Sequence, residues 1–201
     1  MGSALITHSR PKRPHPRSTA WRRPRLNAVT VDVDWPDPEL LTGDRLVLEP
    51  LRADHAEEMA VVLDDPGLHT YIGGVPGTLD ELRDRYARQV AGPSAGKPER
   101  WLNWIVRRRD DERAIGYVQA TITGEAGGPS AEVAWVIGTG DQGRGYAGEA
   151  ASTAIGWLRA QGVQTFVAHV HPEHLASIAV ARRVGLHATD RVVDGEIRWE
   201  G

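Results

Sequence analysis

The residues most suggestive of chemistry lie in one run, GTGDQGRGYAGEA from Gly138 to Ala150, between an apolar stretch that reads as a strand and a stretch with helical period. Glycine-rich strand-to-helix turns bring backbone N–H groups close to anions, and this one admits two such readings. Gly138, Gly140 and Gly143 match G-x-G-x-x-G, which would seat the pyrophosphate of a dinucleotide and make the protein an oxidoreductase. The context fails that reading. Only 58 residues follow Gly143, no βαβ repeat precedes it, and the nearest later acid beyond the new helix, Glu173, lies 30 residues on and past its strand. Gln142-Gly143-Arg144-Gly145-Tyr146-Ala147 reads instead as Q-x-x-G-x-A. There Gly145 and the small Ala147 let N–H groups approach an anion while the helix that follows presents its positive end. A tight turn without ligand fits the hexapeptide alone equally well.

One further group could carry chemistry. His169-x-His171-x-x-His174 has the look of a metal site, with two imidazoles on one face at the end of a strand. The chain has no cysteine, and only Glu173 stands at ligand spacing, so no metal is expected. The missing cysteine also excludes a disulfide framework and any acyl transfer through a thiol nucleophile.

The elements that must position these groups can be read along the chain. Its 201 residues, 40% hydrophobic and 25% charged, have globular composition and suit one domain plus an extension. The longest stretch free of charged residues, Pro66 to Leu79, has 14 residues, short of the roughly 20 that a membrane span needs. Residues 1–25 hold six arginines and Lys12 with no acid, interleaved with proline, and read as a disordered arm. The rest carries a net charge of −10. We divide the chain into a basic extension and linker, 1–40, and a folded domain, 41–201. Strands are expected at Asp44–Leu51, Trp101–Arg109, Ala114–Thr123, Ala131–Gly138 and Gln164–Val170, with a closing hairpin, His187–Val193 and Glu196–Glu200, turned at Asp194-Gly195. Helices are expected at Asp54–Asp64, from a Thr78/Glu81 capping box to about Val90, at about Gly148–Gln161 and at about His174–Val184, with Gly67–Gly77 and Gly124–Ser130 as loops. The order predicts an α/β fold of the α+β type with a mixed sheet and one parallel crossover.

The hexapeptide resembles the pyrophosphate loop of the GCN5-related N-acetyltransferases (GNAT), whose pattern is Q/R-x-x-G-x-G/A. The flanks extend the likeness over about residues 41–201. LTGDRLVLEPL from Leu41, RADHAEEMAVVLDDPGLHTYIGG from Arg52, Ile115-Gly116-Tyr117, Glu132-Val133-Ala134-Trp135 and HPEHLASIAVARRVGL from His171 resemble the ribosomal-protein and small-molecule branch of that superfamily. The resemblance implies a fold with splayed fourth and fifth strands and a pyrophosphate loop between the fourth strand and third helix. It implies acetyl-CoA as co-substrate, with cofactor contacts at Trp135, Val136, Ile137, Gln142, Gly143, Arg144, Gly145, Tyr146, Ala147 and His174. At His174 the family usually has asparagine, and Ala181 stands where many members carry a tyrosine near the departing thiolate. Ser177 is then the expected thiolate partner and Glu132 the expected base. The implied acceptor is a primary amine, either a protein N-terminus or a small cationic amine such as an aminoglycoside or polyamine, in a cytoplasmic monomer or homodimer. No membrane partner is expected, and nucleic acid only through the basic arm. A non-catalytic CoA-binding module of the same fold stays open as a different class of function.

Overall fold

The computed structural model describes residues 35, 37–72, 74–94, 99–125 and 128–201. The expected disordered arm lies outside them. Apolar runs bounded by turn residues build one eight-stranded sheet, with β1 (Leu41–Thr42), β2 (Leu46–Pro50), β3 (Glu99–Arg108), β4 (Ala114–Glu125), β5 (Gly128–Ile137), β6 (Thr165–Val170), β7 (His187–Val193) and β8 (Glu196–Glu200). Their spatial order is β1-β2-β3-β4-β5-β6-β8-β7. Every neighbouring pair is antiparallel except β5 and β6. The helices are α1 (Ala56–Leu63), α2 (His69–Ile72), α3 (Leu79–Ala91), α4 (Tyr146–Ala160) and α5 (Leu175–Arg183). The mixed α/β expectation is thus met, and α4 is the crossover that a parallel strand pair requires.

The sheet is covered on both faces, and the two-residue period of the strands decides which residues meet which layer. Leu102, Trp104, Val118, Ala120, Val133 and Phe166 pack against Ala154, Ile155 and Leu158 of α4. Ile105 and Val136 face the other way, into a second cluster with Met59 of α1 and Leu82 and Tyr86 of α3. Each fully buried large side chain contributes about 1.5–3 kcal/mol. α3 starts as its capping box requires: Glu81 N–H donates to Thr78 Oγ1 at 3.3 Å and Thr78 N–H to Glu81 Oε2 at 2.8 Å. β2 and β3 are tied to α1 by Arg107, which donates to Glu49 at 2.6 Å and to Glu58 at 2.9 Å. Burial pushes the Glu49 carboxyl up, but the hydrogen bonds from Arg107 and Arg52 outweigh it and hold the group at about 2.

Three boundaries differ from expectation. The segment read as loop from Gly67 carries a 3₁₀ turn, Pro66–Leu68, and α2. Asp65 accepts from Gly67 N–H at 2.7 Å, with proline at the first helical position, so residues read as the end of one helix start another. The loop expected at Gly124–Ser130 is largely strand, because the β4–β5 ladder continues in register through Gly124↔Pro129 and Glu125↔Gly128. Helix α4 begins at Tyr146, earlier than expected, with Gly145 as its N-cap. Among the described residues no helix is long and apolar enough to cross a membrane.

Candidate active site

The site begins where the sheet comes apart. β5 and β6 pair only from Ser130↔Thr165 to Glu132↔Val167, after which β6 continues along β8 while β5 stays with β4 as far as Ile137. Gly138 N–H donates to Ile115 O at 2.8 Å on β4. By the alternation of an antiparallel ladder, Glu132, Ala134 and Val136 also spend their backbone groups on β4. Val133, Trp135 and Ile137 turn theirs toward the opened side. The expected cofactor strand, Trp135 to Ile137, therefore divides. Trp135 and Ile137 present an edge to which an extended chain can add, whereas Val136 supplies a buried side chain to the α1–α3 layer.

That open edge runs directly into the glycine turn. Gln142 Nε2 donates to Ile137 O at 2.8 Å, so its amide holds the turn against the strand end. Gly143 and Gly145 have φ of +74° and +79°, a left-handed backbone that a side chain disfavours. Two such residues separated by one turn successive N–H groups toward a common concavity. No side chain caps α4 at Gly145, in contrast to the capping box on α3. The N–H groups of its first turn thus face outward with the positive end of the helix dipole. A Cβ at Gly145 would find one atom within 4 Å, an Arg45 guanidinium nitrogen at 3.7 Å, so the space above the turn is open.

Side chains far away in sequence hold this cradle. Arg45 donates to Glu149 at 2.8 Å and to Arg144 O at 3.0 Å, and lies over the Tyr146 ring at 4.7 Å. Asp141, 4% exposed, gathers Arg113 at 3.0 Å, Arg108 at 3.5 Å and Arg144 at 3.6 Å. Arg108 and Arg113 also pair with Asp110 and Asp111, so the cluster is balanced in charge and braces the turn, leaving the free N–H groups as the anion-directed donors. The arrangement suits a phosphate-bearing ligand whose tail runs along β5. Gly138 and Gly140 take no part in the N-terminus of α4, since they belong to a separate 3₁₀ turn, Thr139–Asp141 with Gly138 as its N-cap, that ends before α4 starts. The dinucleotide pattern is therefore not realised as a cradle.

Glu132 lies on the opposite face from α4, with its side chain 59% exposed and Oε1 3.1 Å from His169 Nδ1 on β6. A carboxylate only accepts, so His169 Nδ1 carries the hydrogen and donates it to Glu132, while among the described residues the buried Nε2 has no partner. The three histidines of the metal-like motif go separate ways. His171 Nδ1 accepts from Glu173 N–H at 3.2 Å, and His174, at the N-cap of α5, stacks on Tyr71 of α2 with ring centroids 4.2 Å apart and planes 8° from parallel. Burial, then the neighbouring His171, lowers the His174 pKa and keeps that ring neutral. Among the described residues no three metal-ligating groups converge. Ser177 is half-buried in the first turn of α5, on the stripe with buried Ala181 and Val184, and has no hydrogen-bond partner among the described residues.

A split parallel pair with an uncapped helix at the end of the split is the arrangement that a CoA-dependent acyltransferase requires. Residues 45–187 match the acetyltransferase (GNAT) domain, and the chain belongs to that family. It is an N-acetyltransferase whose co-substrate is acetyl-CoA, and the expected fold is the one observed. The chain is similar in structure to RimL, the ribosomal L7/L12 alpha-N-protein acetyltransferase in complex with coenzyme A, at 15% identity and a TM-score of 0.67 over 81% of this chain and 97% of that one. It is similar to the Salmonella typhimurium enzyme that modifies the N-terminal serine of L7/L12, at 15% identity and a TM-score of 0.65 over 81% and 98%. A GNAT-family acetyltransferase from Bacillus anthracis aligns at 18% identity and a TM-score of 0.63 over 81% and 96%. A search of curated proteins finds no match in sequence.

Sequence reading missed Arg45, Glu149 and Asp141, which brace the cradle, and took His169 only as a possible ligand. Arg45 and Glu149 are 104 residues apart, and no local pattern links them. The pairing of Glu132 with His169 follows from the parallel register, in which Glu132 stands opposite Val167 and so one pleat from His169.

Proposed function

We propose that the protein moves the acetyl group of acetyl-CoA to a primary amine by direct attack, without a covalent enzyme intermediate, and that the amine enters from the Glu132 face. The observation that carries this reading is the meeting of two sets of unspent N–H groups, on the β5 edge and on the first turn of α4, at Gln142. Acetyl-CoA supplies the activated acyl group. The amine must arrive neutral, and alkyl ammonium groups have pKa values of about 10.4, α-amino groups about 7.7–8.0. Glu132 takes that proton, directly or through water, and His169 fixes the carboxylate that receives it. A backbone N–H at Trp135 or Ile137 steadies the carbonyl oxygen as it gains charge. Ser177, on the inward stripe of α5, hydrogen-bonds the departing sulfur; His174 and the Gln142–Ala147 turn bind the remainder of the co-substrate.

The acceptor is a protein N-terminus or a small cationic amine such as an aminoglycoside or polyamine, drawn by the net charge of −10 that follows Arg25. The similarity to enzymes that act on L7/L12 supports the first of these. We place the protein in the cytoplasm, as a monomer or homodimer. Thiol release from acetyl-CoA with a panel of amines tests the reading, and binding of CoA without release for any amine would make the protein a non-catalytic module. Within the same assay Ser177→Ala is expected to lower kcat by no more than about tenfold, the size of one hydrogen bond. Free thiols ionise near 8.5, so the thiolate already leaves tolerably. A larger loss would make Ser177 an obligatory acid.

A further inference from the structure

On the Glu132 face, between α3 and the middle of the sheet, lies a cavity of about 150 Å³ that the acetyl-transfer chemistry does not use. Its walls are polar in an unusual way. Arg85, Tyr86 and Gln89 of α3 meet Asn103 of β3 and Tyr117 and Gln119 of β4. Tyr86 is 3% exposed and Asn103 8%, and the Tyr86 hydroxyl is buried with no partner among the described residues. Among the described residues the side-chain amides of Asn103, Gln119 and Gln89 make no hydrogen bond within the protein but are open to solvent, and Arg85 is exposed with no carboxylate partner. Its guanidinium lies 5.9 Å from the centre of the Tyr86 ring. Buried polar groups are ordinarily paired, because an unpaired one costs about 1–3 kcal/mol. One such hydroxyl, turned toward a cavity whose other polar groups have no partner within the protein, marks a place that an occupant can complete.

The lining also specifies the occupant's chemistry. It contains no carboxylate. Burial raises the pKa values of Tyr86 and Tyr117, so both hydroxyls remain protonated donors at neutral pH. Guanidinium, two phenols and three amides offer an excess of N–H and O–H groups to an oxygen. A protonated amine would meet Arg85 with no compensating acid, so the cavity disfavours a polycation. Its position relative to the base is set by the sheet. Gln119 is paired with Asn103 on one side and Ala134 on the other, and Thr121, two residues along β4, stands opposite Glu132. Glu132 and Gln119 are thus diagonal neighbours on one face, about 7–8 Å apart. Ala134, between the cavity and the split, is exposed, so the floor connecting them is open.

We propose that this cavity is the acceptor's anchoring subsite, and that it takes a carbonyl or carboxylate oxygen attached close to the amine that Glu132 deprotonates. The substrate class is then an α-amino carbonyl compound, whether the N-terminal residue of a peptide or a free amino acid, which narrows the amines proposed above by selecting against polyamines and aminoglycosides. The inference rests on the acetyl-transfer reading for its chemistry but not for its binding site.

The test uses the full chain with saturating acetyl-CoA and four acceptors: an alanyl peptide amide, free alanine, spermidine and an aminoglycoside. At least one of the first two is expected to exceed both polycations in kcat/KM by about tenfold or more. Tyr86→Phe is expected to raise KM for that acceptor by about tenfold, one hydrogen bond to an oxygen, with kcat and acetyl-CoA affinity unchanged. Arg85→Gln separates the two sources, hurting free alanine more than the peptide amide if a carboxylate is the natural occupant. A preference for spermidine or the aminoglycoside, or an unaltered KM in Tyr86→Phe, overturns the proposal. If no amine releases thiol, the acetyl-transfer reading fails, and calorimetry of the peptide amide and of alanine in the presence of CoA decides the subsite. Weaker binding to Tyr86→Phe than to the parent upholds it, and equal binding or none overturns it.

Discussion

Replacing Glu132 with glutamine is expected to lower turnover by roughly 10² to 10⁴, the usual size of a general-base contribution, with acetyl-CoA affinity nearly intact. Affinity should hold because the carboxylate lies on the sheet face opposite α4 and its uncapped N-terminus, so no phosphate-binding group is disturbed. The residual rate should climb as pH rises, since the acceptor then loses its proton to solvent and no longer needs the carboxylate. The parent, with its base in place, should show a shallower rise over the same range. Glutamine preserves size and still accepts from His169 Nδ1, so a fall in rate reports the lost proton acceptor and not a rearranged strand. Equal activity of variant and parent at neutral pH would remove Glu132 from the mechanism.

The second large effect is expected at Gly145. A valine there combines a left-handed backbone at φ +79° with a branched side chain directed into the open space above the turn. The backbone strain alone costs about 1–2 kcal/mol of stability, which thermal unfolding reads. Affinity should fall by far more, about 100-fold or beyond, because the N–H groups of the turn are lost to a charged ligand together and each such bond is worth about 1.5–3 kcal/mol. Gly145→Asn separates the two causes. Asparagine tolerates the left-handed region, so this variant should melt close to the parent while still covering the amides and weakening acetyl-CoA in calorimetry. A folded valine variant that binds acetyl-CoA as the parent does would show that the pyrophosphate lies elsewhere.

How far the sequence led depends on how local each signal is. The closing hairpin was legible to the residue, since Asp194 and Gly195, with φ of +50° and +89°, are the pair that such a turn selects. The start of α3 was legible because both partners of its capping box lie within one helical turn. The glycine turn could be located because close approach to an anion demands small residues at fixed spacing. The two short helices after Asp65 were not legible, because the same Asp-Pro pair ends one element and begins another. The supports of the cradle and the walls of the cavity beside α3 were invisible for a different reason. Tyr86, Asn103 and Gln119 come together through strand register and the docking of α3, and spacing along the chain carries neither. The net negative charge of the body was the one acceptor signal the composition offered, and it points to cations in general. The donor-rich lining beside Arg85 argues for something narrower.

If acetyl-CoA is held by two sets of free amides that meet at Gln142, amide hydrogen exchange with and without CoA reads both sets at once. Slowed exchange is predicted from Gly143 through Gly148 and at Trp135 and Ile137, with no change at Glu132 or Ala134, whose N–H groups already pair with β4. Binding accompanied by protection elsewhere, with the α4 first turn and the β5 edge exchanging as freely as before, would contradict the account.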